Sequence, residues 1–153
     1  MKRTLVTVAL VTALVVGAPT SVVAAEESGQ DVHPSVAFAL DAEPGGVATG
    51  YGSAEWPELG MTLEVSLVRA VGTCATGSIC AYSEGGMAGT KLTWTTCGSK
   101  STSALSTVGS IANARSSGTL SAREGTTVRA SAAANTYANV PLAYRTAITN
   151  VYC

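Results

Sequence analysis

The sequence predicts an all-β fold, a sandwich or barrel of short strands tied by disulfides. Three observations carry this. Apolar and polar residues alternate without a miss over residues 61–67, MTLEVSL, which is the period of a half-buried strand. Further strand-like segments follow at intervals of roughly 8–12 residues, with Gly, Ser or Asn between them. Four cysteines, Cys74, Cys80, Cys97 and Cys153, all lie downstream of a leader-like N-terminus.

That leader spans residues 1–25. Lys2 and Arg3 form a basic start, residues 5–16 are apolar apart from threonines, and Gly17, Pro19 and Ser21 break the run. Val23, Ala24 and Ala25 then put small residues ahead of Glu26, as a signal peptidase requires. The run is shorter than the ~20 residues a membrane span needs. The segment therefore reads as a cleaved secretory signal, and the mature chain is expected to be extracellular and free of the membrane. Without Lys2 and Arg3 the basic residues are Arg69, Lys91, Lys100, Arg115, Arg123, Arg129 and Arg145, scattered and outnumbered by 10 acids. Such a surface offers no electrostatic footprint for nucleic acid or an anionic membrane.

Residues 26–54 read as a loosely structured N-terminal segment. They open polar, and Pro34, Pro44, Gly45, Gly46, Gly50 and Gly52 punctuate them. Residues 36–40 are compatible with one short strand or a helical turn. The ordered domain is placed at 55–153. After the strand at 61–67, candidates follow at 78–82, at 91–96 with Leu92 and Trp94 on one face, and at 109–114, 119–122, 126–130 and 147–153. Residues 130–134, mostly alanine, have helical propensity but are too short for an isolated helix, so a turn of helix and a strand stay open there.

In an oxidising compartment an even cysteine count reads as disulfides, and four cysteines allow three pairings. Cys74–Cys80 with Cys97–Cys153 is favoured, because the first two are neighbours and the last ends the sequence. Loop entropy gives the short ring roughly 2 kcal/mol and the long one roughly 4 kcal/mol.

Catalytic and metal chemistry find few footholds. The single histidine, His33, falls in the N-terminal segment, away from the expected core. Cys-x5-Cys without a nearby histidine is not a zinc spacing, and no Cys-x-x-Cys redox pair occurs. Glu55 and Glu58 flank Trp56-Pro57 and are the best local carboxylate pair for glycoside hydrolysis. No G-x-S-x-G elbow, Gly-rich phosphate loop or H-E-x-x-H is present. No enzymatic role, metal or cofactor is expected.

One stretch is more specific. Residues 74–89 read CATGSICAYSEGGMAG, and Val108, Gly109, Ser110, Ile111, Ala112 and Asn113 follow downstream. Together these resemble the small secreted bacterial metalloproteinase-inhibitor family, over roughly residues 55–153. The resemblance implies a βγ-crystallin-like Greek-key sandwich of two antiparallel sheets, stapled by disulfides. It implies that Tyr82 and Gly89 mark a folded hairpin. The aromatic ring covers the bend, and glycine supplies the positive φ. Met87 stands where that signature often has an aromatic or an aspartate. The serine-to-asparagine strand of the family corresponds to Ser110 and Asn113, with Ser110 bonding back to a hairpin of the other motif. A second hairpin signature, at residues 120–127, is degenerate and lacks the aromatic.

Two departures bear on function. Inhibitory members of the family carry a second short disulfide ring that presents the inhibitory bond, and no second short ring is available here. Many βγ-crystallin domains bind calcium through carboxylates just before a Ser/Thr-Ser pair, and residues 105–110 have none. The expectation is a monomeric secreted peptidase inhibitor that blocks a protease cleft, with a secreted protease as partner. The alternative is a non-inhibitory crystallin-like binding or toxin-like module. Residues 83–88, 99–103 and 135–139 are the candidate contact loops, and no single contact residue is assigned.

Overall fold

The computed structural model describes residues 31–66 and 73–153. The expected signal at 1–25 and the end of the predicted strand at Leu67 lie outside the described residues.

The described chain starts with order rather than a loose lead-in. Helix α1 spans Pro34–Ala42. His33 caps it, its Nδ1 accepting from the Ser35 amide at 3.1 Å, and Pro34 supplies a preset φ in the first turn. Val36 and Ala39 fall on one side of the helix and are buried. Strand β1 (Val47–Gly50) and β2 (Ser53–Trp56) form a hairpin, and β3 (Met61–Glu64) follows a 3-10 turn at Pro57–Leu59. The expectation of a loosely structured 26–54 is corrected for its described part. There the prolines and glycines mark tight connections between short elements.

The remaining strands are β4 (Ile79–Glu84), β5 (Ala88–Trp94), β6 (Ser99–Ser101), β7 (Ser110–Asn113), β8 (Thr119–Glu124), β9 (Thr127–Ala133), β10 (Thr136–Asn139) and β11 (Asn150–Tyr152). The alanine-rich stretch at 130–134 falls in β9, because pairing of Ala130, Ser131 and Ala132 with β8 fixes it as strand. Residues 99–103 and 135–139, expected as loops, contain β6 and β10. Both are edge strands of mostly exposed polar residues, so neither shows a buried face in its sequence.

Two antiparallel sheets result. The larger runs β1-β2-β3-β5-β4-β7-β10, and the smaller runs β6-β11-β8-β9. Successive strands β4–β7 and β8–β11 form two four-strand units that exchange their third members. β4, β5 and β7 lie in the larger sheet while β6 crosses to the smaller. β8, β9 and β11 lie in the smaller while β10 crosses to the larger. The β1–β3 meander extends the larger sheet beyond β5.

One continuous core draws on both sheets and on α1. Trp56, Met61, Trp94 and Ile79 stand in register across β2, β3, β5 and β4. Leu120, Ala122, Ala132 and Val151 meet them from the smaller sheet. Trp56 settles its indole N–H on the Glu43 carbonyl at 2.6 Å, which ties the end of α1 to β2. The disulfides are Cys74–Cys80 and Cys97–Cys153.

Candidate functional site

The stretch CATGSICAY builds a strand buried on both faces. Ile79 and Ala81 point into the main core, while Cys80 and Tyr82 point outward. Outward is not exposed here. The Cys74–Cys80 ring, Ala112 on β7 and Met87 at the hairpin tip cover them as a second, smaller cluster. The ring therefore acts as a lid on the outer face of the larger sheet. A cavity of about 290 Å³ opens beside it, lined in part by Thr73, Cys74, Met87, Asn113 and Tyr137.

The β4–β5 hairpin folds back over its own sheet. Gly89 takes φ +80°, and a side chain there would meet Ser83 Oγ at 2.2 Å. Ser83 Oγ accepts from the Thr90 amide at 2.8 Å across the bend. Gly109 receives the folded tip. A Cβ on it would lie 2.2 Å from the Glu84 carbonyl carbon, so only glycine permits the approach. Its amide donates to the Tyr82 carbonyl at 2.8 Å.

Ser110 fastens the tip from inside. Its hydroxyl donates to the Glu84 carbonyl at 2.8 Å and accepts from the Met87 amide at 2.9 Å. Thr107 Oγ1 donates to the Ser83 carbonyl at 2.9 Å, and Asn139 Oδ1 accepts from the Gly86 amide at 2.7 Å. Residues 83–88 thus form a pinned loop. Asn113, at the far end of β7, bridges the sheets by donating to the Gly118 and Ala132 carbonyls at 3.1 and 3.4 Å.

Tyr82 is fully buried, and among the described residues its hydroxyl has no hydrogen-bond partner. Burial first, and the negative charge of Glu64 second, push its pKa up to about 12.

The β8–β9 hairpin repeats this design with other residues. Tyr82 pairs Ser110, and the matching pair is Arg123 with Asn150. Asn150 Nδ2 donates to the Gly125 carbonyl, and Thr149 Oγ1 accepts from the Gly125 amide, both at 2.9 Å. Arg123 lies over the Tyr152 ring at 4.0 Å. The degenerate sequence at 120–127 hides this hairpin because an arginine and a borrowed tyrosine stand in for the aromatic.

Other sequence candidates do not assemble into a site. His33 serves the α1 cap and meets Tyr51 edge-on at 5.8 Å. Glu55 lies on β2 and Glu58 in the following 3-10 turn, both exposed. Among the described residues no three His, Cys, Asp or Glu side chains converge as metal ligands.

One exposed feature escaped the sequence reading. Leu142, in the connection from β10 to β11, is 79% exposed. Its only sequence signal is a leucine directly after Pro141. No protein-family model, curated protein or solved structure matches this chain.

Proposed function

We propose that this chain is a secreted peptidase inhibitor, directed at metallopeptidases, which acts by filling the enzyme's cleft. The observation that carries this reading is the β4–β5 hairpin. It is folded over Gly109, fastened by Ser110 and lidded by the Cys74–Cys80 ring, in the residues through which the sequence resembles that inhibitor family. The exchange of β6 and β10 between the sheets supports a βγ-crystallin-like Greek-key scaffold, each unit lending its third strand. Both disulfides and the lack, among the described residues, of a helix able to cross a membrane agree with a secreted product. A scaffold pinned at its loops loses little entropy on docking, which is how rigid inhibitors gain affinity.

The test is purified mature protein against thermolysin-like and subtilisin-like peptidases. Inhibition of the metallopeptidase at micromolar protein or below is expected. Undiminished activity of both enzymes refutes the reading. A second reading, a non-inhibitory crystallin-like binding module, is favoured by one observation. Cys97–Cys153 spans 56 residues, so no second short ring presents an inhibitory bond.

A further inference from the structure

The two disulfides present different targets to an attacking thiol. The short ring shields its sulfurs. Cys80 is fully buried in the small cluster with Tyr82 and Ala112, and Cys74 is half-buried against it. The polar neighbour of Cys80 Sγ is the uncharged Thr93 hydroxyl at 3.6 Å. A thiolate leaving from Cys80 would be stranded among apolar side chains, where the charged form is disfavoured. The long bridge is built the other way. Cys97 is exposed in the connection from β5 to β6. The space beside it is open, because a Cβ on the next residue, Gly98, would meet nothing within 4 Å. Cys153 is partly buried against the main core, and Arg115 Nη1 donates to its sulfur at 3.5 Å. The backbone just after β7 holds Arg115 for this contact. Its amide donates to Asn113 Oδ1 at 3.3 Å, and its carbonyl accepts from the Asn135 amide at 3.2 Å. One sulfur of the bridge is thus open to attack, and the other has a guanidinium in place to receive negative charge.

We infer that Cys97–Cys153 is a site of thiol–disulfide exchange, opened by an external dithiol from the Cys97 side, and that its opening releases β6 and β11. A thiolate of the dithiol attacks Cys97 Sγ. A mixed disulfide forms on Cys97, the Cys97–Cys153 bond breaks, and its electron pair leaves on Cys153 Sγ as a thiolate held by Arg115. The second thiol of the dithiol, deprotonated, then attacks its own partner sulfur in the mixed disulfide, and Cys97 leaves as a thiolate. The protein takes up the two electrons and two protons that the dithiol gives up, and the dithiol ends as a disulfide. The structural consequence is local. β11 pairs with β6 through Asn150–Ser101, Val151–Lys100 and Tyr152–Ser99, and the bridge closes that pair beside Tyr152–Ser99. Opening it loosens the smaller sheet, while the Cys74–Cys80 ring goes on covering the β4–β5 hairpin. This inference does not depend on the inhibitor reading.

The experiment exposes oxidised mature protein to dithiothreitol, quenches samples rapidly with an alkylating agent and maps the labels by peptide mass. Lower leaving-group basicity and better access should open the long bridge about 10-fold faster than the short ring. Arg115→Gln should slow that opening about threefold or more, and Arg115→Lys should restore most of the rate. A short pulse of glutathione on wild type should place the glutathionyl group on Cys97 and the alkyl label on Cys153. Hydrogen exchange on protein with only the long bridge opened should lose protection in β6 and β11 and keep it in β4. Opening of the short ring first, or of both at one rate, overturns the proposal. So does glutathione on Cys153, an Arg115→Gln rate equal to wild type, or unchanged protection of β6 and β11. The glutathione map needs no variant, so it decides the direction of attack even if Arg115→Gln folds poorly.

Discussion

Tyr82 puts two opposed demands on one side chain. Its ring fills the small cluster beneath the disulfide lid, while its hydroxyl is buried without a partner among the described residues. A buried unsatisfied hydroxyl costs about 1–3 kcal/mol, so removing it while keeping the ring should help. Tyr82→Phe is expected to raise the melting temperature by a few degrees, and a fall of several degrees would reveal a partner for the hydroxyl. The same group sets an alkaline limit. Its folded pKa is raised from 10.0 to about 12, so below pH 10 the phenol is neutral in both states. Between those values the unfolded chain loses the proton and the folded chain keeps it. Stability therefore falls as pH rises through that window. Urea midpoints of wild type should drop there, and those of Tyr82→Phe should lack this contribution. Gly109 makes a harder demand at the start of the adjacent strand, β7. Its Cβ would land on the Glu84 backbone, which has no rotamer to move aside. Gly109→Ala should cost about 3 kcal/mol or more, read as a lowered urea midpoint. Gly86 at the hairpin tip is open around its Cα, so Gly86→Ala should cost only about 1–2 kcal/mol of left-handed strain.

At the scale of elements, the folded hairpin stands or falls with Ser110. Ser110→Ala leaves the Met87 amide without its acceptor and the Glu84 carbonyl without its donor. A loss of about 1–3 kcal/mol is expected. Hydrogen exchange at the Met87 amide should accelerate well beyond the global change. Unchanged protection there would mean that Thr107 and Asn139 hold the tip by themselves. This element was legible through the resemblance, which marks Tyr82 and Gly89 as a folded hairpin beside the Cys74–Cys80 ring. β1, β6 and β10 were not legible. They are edge strands of three or four residues with no fully buried side chain among them, so no alternation of apolar core and polar surface residues marks them. Helix α1 buries only Val36 and Ala39, too few contacts to print a 3.6-residue pattern on nine residues. The Leu142 turn was missed because its exposure comes from the path between β10 and β11, which no local pattern records.

Across the whole molecule, the exchange of third strands makes each sheet depend on both halves of the sequence, and β11 carries much of that dependence. β11 is three residues long, yet it lies inside the smaller sheet between β6 and β8. β6 has no other neighbour in its sheet, so release of β11 strands it as well. The Cys97–Cys153 bridge prevents this by joining the residue just after β11 to the approach to β6. Loop entropy gives that 56-residue separation roughly 4 kcal/mol, against roughly 2 kcal/mol for the ring at Cys74–Cys80. The double substitution Cys97→Ser/Cys153→Ser should therefore lower stability about twice as much as Cys74→Ser/Cys80→Ser. The damage should also differ in place. Losing the long bridge should strip hydrogen-exchange protection first from β6 and β11. Losing the short ring should expose Tyr82 and loosen β4 and Met87 while the smaller sheet keeps its protection. Equal loss across both sheets in both variants would show that the disulfides act only through the unfolded chain, and that neither holds a particular element in place.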